Sequence, residues 1–190
     1  MNRLQKNMLF GLAMLFCLSQ TSLSHADTKR KKPSLDGTVT AGPYYNPASK
    51  SYFELFRMQK IPGQQTRWFG AKALAEKQFF KGAQGHLATV KDIETHQFIL
   101  RHFSGSNYWI GLQYFCASET LKWVDGTDAT QSSFSAWDSD WSNTYIRCAD
   151  MGYMPVHYTT KTTTNALRWR ASGPNKGYNV YLVEYPTGKK

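Results

Sequence analysis

A chain of 190 residues with formal net charge +10, 41% hydrophobic and 15% aromatic residues is long enough for one domain with a real core. Its longest apolar run is too short to span a bilayer, which takes about 20 residues. The excess of cations directs attention to anionic partners without naming one.

Residues 1–26 read as a secretory signal. Arg3 and Lys6 give a basic start, Met8 to Leu18 is apolar apart from Gly11, and Ser24-His25-Ala26 offers small residues at the cleavage positions. Cys17 follows the bulky Phe16, which excludes a lipoprotein signal. A secreted product, extracellular or periplasmic, is expected. Residues 27–50 are rich in Pro, Gly and Ser, carry the run Lys29-Arg30-Lys31-Lys32 and show no sustained apolar period, so they read as a mobile basic arm. Such an arm can attract acidic polysaccharide or a membrane surface, although a solvated tail is the simpler reading. After cleavage only Cys116 and Cys148 remain. In an oxidising compartment an even pair indicates a disulfide rather than a metal or catalytic site.

Ser51 to Phe56 forms a first strand, and Ile61-Pro62-Gly63 breaks the chain. Thr66 stands where a helix N-cap belongs, and Trp68, Ala71, Ala75 and Phe79 recur at helical spacing, predicting a first helix that ends near Lys81-Gly82. Gly85 to Val90 is an extended link. Asp92 caps a second helix whose apolar face comprises Ile93, Ile99, Leu100 and Phe103, and Ser104 to Asn107 is a turn. Tyr108-Trp109-Ile110-Gly111-Leu112 reads as a central buried strand, with Gly111 marking a close approach by another group. Leu121 to Val124 alternates and runs into Asp125-Gly126, a hairpin-type turn. Thr127 to Asn143 lacks a period but carries Phe134, Trp137 and Trp141, which predicts an ordered loop. Further strands are expected at Ile146–Tyr153, Ala166–Ala171 and Tyr178–Tyr185, with a turn at Ser172 to Asn175.

Taken in order, Trp68 with Ala71 and Ala75, Gly85-His86-Leu87-Ala88-Thr89-Val90, Glu94 and Phe98, Trp109-Ile110-Gly111-Leu112, Lys122-Trp123-Val124-Asp125-Gly126, Trp137, Cys148, Trp169 and Tyr181-Leu182-Val183-Glu184 resemble the C-type lectin-like domain. The resemblance spans residues 51–187. It implies an α+β fold in which two helices flank antiparallel sheets, the ends of the domain lie close together and a long loop carries the ligand surface. It also implies that Trp68, Trp109, Gly111, Trp123, Trp137 and Trp169 serve as core.

The departures bear on function. Sugar-binding members of that family hold calcium with a proline-centred triplet in the long loop and an Asn-Asp pair after the Trp of the penultimate strand. Here Trp169 is followed by Arg170-Ala171, and the long loop has Asp138-Ser139-Asp140-Trp141-Ser142-Asn143 without the triplet. No calcium or other cofactor is therefore expected, and Asp138, Asp140 or Asp150 would be the ligands of any rearranged site. The usual partner of Cys148, shortly after Trp169, is also missing, so Cys116 is expected to pair with Cys148 across the base of the long loop.

Catalysis finds little support. His86, His96, His102 and His157 have no metal-ligand spacing, no Ser sits in a nucleophile elbow, and no phosphate-binding glycine loop occurs. The expected protein is a binding module for a protein or glycan, not an enzyme and not a nucleic-acid binder. Its ligand contacts are drawn from Asp138, Asp140, Trp141, Asn143, Tyr153 and Arg170, with Trp141 and Arg170 foremost, because aromatic rings and polar groups hold sugars without metal and serve as interface hot spots. The alternatives are a calcium-dependent carbohydrate-binding adhesin with non-standard ligands, and a binder of acidic polymers or membrane surfaces through the basic arm.

Overall fold

The computed structural model describes residues 37–58, 66–139, 148, 152–160 and 167–190. Among these, in chain order, are β1 (Thr38–Asn46), β2 (Ser51–Arg57), α1 (Trp68–Ala75), β3 (Phe79–Phe80), β4 (Ala83–Gln84), β5 (His86–Leu87), α2 (Ile93–His102), β6 (Tyr108–Phe115), β7 (Thr120–Trp123), β8 (Tyr153–Thr160), β9 (Leu167–Ala171) and β10 (Val180–Tyr185). β3 and β4 pair with each other. The others form one sheet along the path β1-β2-β10-β6-β8-β9, with β5 added to β10 and β7 to β6. The pairings are antiparallel except β10 with β6. The result is the expected α+β architecture.

The unbroken apolar run of β6 follows from cover on both faces of the sheet. Successive strand residues point to opposite faces. On one face Phe53 and Leu55 of β2, Tyr108, Ile110 and Leu112 of β6, Val156 and Tyr158 of β8, and Leu182 of β10 pack with Phe98, Ile99 and Phe103 from α2 and its C-terminal end. On the other, Tyr52, Phe56, Trp109, Tyr181, Val183 and Tyr185 pack with Trp68, Ala71 and Ala75 of α1. The indoles at this second core find acceptors: Trp68 Nε1 donates to Ile110 O at 2.7 Å and Trp109 Nε1 to Thr66 O at 2.9 Å, which removes the penalty of burying an unpaired donor. At Gly111 the close approach comes from the Leu87 backbone and the Val124 side chain. A Cβ there would lie 2.6 Å from Leu87 O, and the amide donates to Ala88 O at 2.9 Å.

Several local expectations change. Residues 38–46 do not belong to a mobile arm. β1 runs antiparallel to β2 from Thr38 opposite Arg57 to Asn46 opposite Ser51, and the buried Asn46 donates through Nδ2 to Thr95 Oγ1 at 3.0 Å. β1 shows no apolar period because it lies at the edge of the sheet and its register shifts between Val39 and Ala41 and again between Ala41 and Tyr44. Residues 1–36, with the expected signal, its expected cleavage site and Lys29 to Lys32, lie outside the described residues.

α1 stops at Ala75 rather than near Lys81-Gly82. Lys81 and Gly82 both adopt positive φ, 48° and 80°, and turn the chain between β3 and β4, leaving Phe79 69% exposed. Its N-cap is Arg67 without a side-chain cap bond, and the Thr66 hydroxyl goes to Met58 Sδ instead. α2 does begin at Asp92, whose Oδ1 accepts from Thr95 N at 2.6 Å. Its buried residues are Thr95, His96, Phe98 and Ile99, whereas Ile93 and Leu100 stay exposed. The polar pair Thr95 and His96 hides this face from a search for apolar spacing.

Gly126 N donates to Trp123 O at 2.9 Å, and the turn at Asp125-Gly126 brings Asp128 opposite Lys122. Of the strand expected at Ile146–Tyr153, residues 146, 147 and 149–151 lie outside the described residues, and β8 starts where that stretch ends. Trp68, Trp109, Gly111, Trp123 and Trp169 are buried, while Trp137 is partly buried against the same core. Cys116 and Cys148 are joined, with Cα atoms 5.7 Å apart and a sequence separation of 32. No helix among the described residues is long and apolar enough to cross a membrane.

Candidate ligand-binding site

Trp169 on β9 organises the region around the long loop. Trp123, Phe134 and Trp137 meet its ring edge to face, at centroid distances of 5.8, 5.6 and 5.6 Å, a geometry that aromatic quadrupoles favour. The segment Ala136 to Asp138 runs beside β9: Trp169 N donates to Ala136 O at 2.7 Å and Asp138 N to Trp169 O at 3.0 Å. With Trp169 turned into the core, strand alternation turns Arg170 the other way. There Arg170 Nε donates to Asp138 Oδ2 at 2.9 Å. The Asp138 side chain is 2% exposed and that of Arg170 42%, so the guanidinium neutralises a buried carboxylate that would be costly to leave alone.

Across the β8–β9 ladder His157 stands opposite Arg170. His157 is buried, with its ring centroid 4.6 Å from that of Tyr178 and 5.6 Å from that of Trp109. Both ring nitrogens have partners: Ser172 Oγ lies 3.3 Å from Nδ1 and Tyr178 Oη 3.2 Å from Nε2. Burial, followed by the charges of Arg170 and Lys176, lowers the His157 pKa to about 3. The ring is neutral at physiological pH and serves as a hydrogen-bonding group rather than a proton carrier. It lines a cleft of about 550 Å³ formed by β8, the end of β9 and the turn that follows, together with Asn107, Thr159, Arg170, Lys176 and Tyr178.

Of the expected ligand contacts, Asp138 and Arg170 come together, with Arg170 facing the cleft and Asp138 paired to it from a buried position. Tyr153 goes elsewhere. Its ring packs edge to face on Phe69 of α1 at 5.3 Å, and it does not line the cleft. Asp140, Trp141 and Asn143 lie outside the described residues. Sequence reasoning missed His157, Lys176 and Tyr178. His157 lacks metal-ligand spacing, and Pro155 in β8 argues against an inner strand. Pro155 is tolerated because it stands just past a register irregularity between Trp109 and Gln113 of β6.

Calcium requires six to eight oxygen ligands, and the described donors do not fit it. The positions after Trp169 carry a guanidinium and a methyl group, and the Asp138 carboxylate already holds that guanidinium. Among the described residues no three His, Cys, Asp or Glu side chains converge.

The family model described as Lectin C-type domain matches residues 64–175. A comparison with curated proteins finds no significant match. Among solved structures, the C-type lectin CEL-I from Cucumaria echinata is similar at a TM-score of 0.50 and 12% identity, covering 81% of this chain and 97% of that one. The Ca²⁺-independent C-type lectin SPL-2 from Saxidomus purpuratus is similar at a TM-score of 0.50 and 18% identity, covering 72% of this chain and 86% of that one. At these identities the likeness is one of fold.

Proposed function

Because the chain belongs to the C-type lectin domain family, we propose that it is an exported, non-enzymatic binding module that takes a protein or glycan ligand without calcium, at the cleft beside Arg170 and the loop that continues from Asp138. The observation that carries this reading is the Arg170–Asp138 pair: a fixed cation from the protein sits on the loop carboxylate at 2.9 Å, where a sugar-binding relative would need oxygens facing a metal. The fold accommodates binding of this kind, since the similar structure from Saxidomus purpuratus is by its name a Ca²⁺-independent C-type lectin. The neutral, doubly hydrogen-bonded His157 supports a binding surface over a catalytic one. Asp140, Trp141 and Asn143 are proposed as further contacts on the loop.

The test is a glycan array and a pull-down with the exported chain, each with calcium and with chelator, beside a thermal-shift titration with Ca²⁺. The expected outcome is ligand binding that survives the chelator and a melting temperature that Ca²⁺ leaves unchanged. Binding that disappears with chelator would establish the calcium-dependent alternative instead.

A further inference from the structure

The geometry points to a ligand class for the cleft: a sugar bearing one anionic group, a carboxylate or a sulfate, held by Arg170 and Lys176 without metal. This rests on the reading that the cleft beside Arg170 is the binding site, and it names what that site selects.

Charge is the first argument. Among the described residues the lining contains Arg170 and Lys176 but no Asp or Glu. Asp138, which meets Arg170, is buried and engages the guanidinium through Nε. Lys176 makes no ion pair among the described residues, and its ammonium lies 5.7 Å from the centre of the Tyr178 ring. Among the described residues, one buried carboxylate against two cations leaves this lining positive, and a concave, low-dielectric wall concentrates that field.

Size and lining argue for a sugar. A volume of about 550 Å³ falls within the range usual for small-ligand clefts and far exceeds the roughly 30 Å³ that one water occupies, so a bare ion would leave most of it to solvent. Asn107, Thr159 and Ser172 in the lining can each donate and accept, which matches hydroxyl groups that do the same. His157 engages the Ser172 and Tyr178 hydroxyls from the side and so fixes their orientation. An extended acidic peptide is disfavoured, because the edge of β9 beside the cleft is already occupied by Ala136 to Asp138 through Trp169 N to Ala136 O and Asp138 N to Trp169 O.

The experiment is calorimetric titration of the exported chain with methyl glucuronide, glucose 6-sulfate, neutral methyl glucoside, inorganic sulfate and a glutamate-rich peptide, repeated on Lys176→Glu. Lys176 is exposed, and an unchanged melting temperature certifies the variant's fold. At least one acidic sugar is expected to bind about tenfold or more tightly than the neutral parent, and Lys176→Glu to remove that preference, which corresponds to about 1.4 kcal/mol or more. Affinity should fall as salt rises from about 0.01 to about 0.15 M, which shortens the Debye length from about 30 to about 8 Å. The tighter of the glucuronide and the sulfate ester identifies the anionic group. Equal binding of the neutral glucoside, indifference to Lys176→Glu, sulfate ion binding as tightly as the sugars, or the peptide binding in their place would each overturn the inference. Chelator-resistant binding of neutral glycans would overturn it while leaving calcium-free binding intact, and loss of all glycan binding with chelator would overturn that reading and the inference with it.

Discussion

His96 and His157 are 4% and 3% exposed and stay neutral in the fold well below the pH at which a free imidazole charges. Burial and then Arg168 lower the His96 pKa to about 4, and its Nδ1 lies 2.7 Å from Tyr158 Oη. His157 falls to about 3 through burial and the charges of Arg170 and Lys176. Both folded values are below the unfolded value of about 6.5, so between them the unfolded chain binds more protons and stability falls as pH drops. Each histidine contributes a slope of up to about 1.4 kcal/mol per pH unit across its window. Stability measured by urea denaturation should therefore be level from pH 8 to 7 and fall from about 6.5 toward about 4. His157→Gln, which keeps a hydrogen-bonding side chain without a titrating one, should flatten that fall. An unchanged slope in the variant would show that His157 protonates freely in the fold.

At the scale of elements, β1 is the edge strand that residues 27–50 were not expected to contain. Its pairing with β2 and the Asn46–Thr95 bond tie residues 38–46 to the sheet and to α2. A chain lacking residues 27–46 should lose about 0.5 to 1.5 kcal/mol from that hydrogen bond alone, with further loss from the uncovered flank of β2. Chemical denaturation checks this, with a chain lacking only residues 27–36 as the reference; equal midpoints would mean that β1 adds nothing to stability. Loss of ligand binding in the longer deletion would thus report a damaged sheet, not a binding arm. β1 was illegible because an irregular edge strand has no period to detect, and β8 because Pro155 and His157 break its apolar pattern. β6 and α1's Trp68, Ala71 and Ala75 were legible because each packs into a large core whose demands show as consecutive or regularly spaced apolar residues. Arg170 was legible for a different reason, as a residue type foreign to its position after Trp169. His157 was not, since a lone buried histidine in a strand announces nothing until Arg170, Ser172 and Tyr178 are placed around it.

At the scale of the molecule, the two cores share the same three central strands. Phe53, Ile110 and Leu182 face α2, while Phe56, Trp109, Tyr181 and Val183 on the same β2, β6 and β10 face α1. Neither core can be lost while those strands stay ordered for the other, because each strand residue is flanked by neighbours committed to the opposite face. The described residues of the domain should therefore unfold in one step, as single domains of this size usually do. Trp68→Ala tests the coupling. Trp68 is 2% exposed and its indole donates to Ile110 O of the central strand, so truncation should cost about 3 to 5 kcal/mol. The loss should appear equally at the opposite core: tryptophan fluorescence, to which Trp123 and Trp169 contribute from the α2 side, should show the same shifted midpoint as far-ultraviolet circular dichroism. Separate midpoints would mean that the α1 core melts alone. The cleft beside Arg170 would then stand on β8 and β9 without support from the α1 side, although Trp109 and Tyr178 reach His157 from there. A common midpoint makes the site's geometry a property of the whole sheet, so that a destabilising change in either core reaches His157 and Arg170 through the strands that carry them.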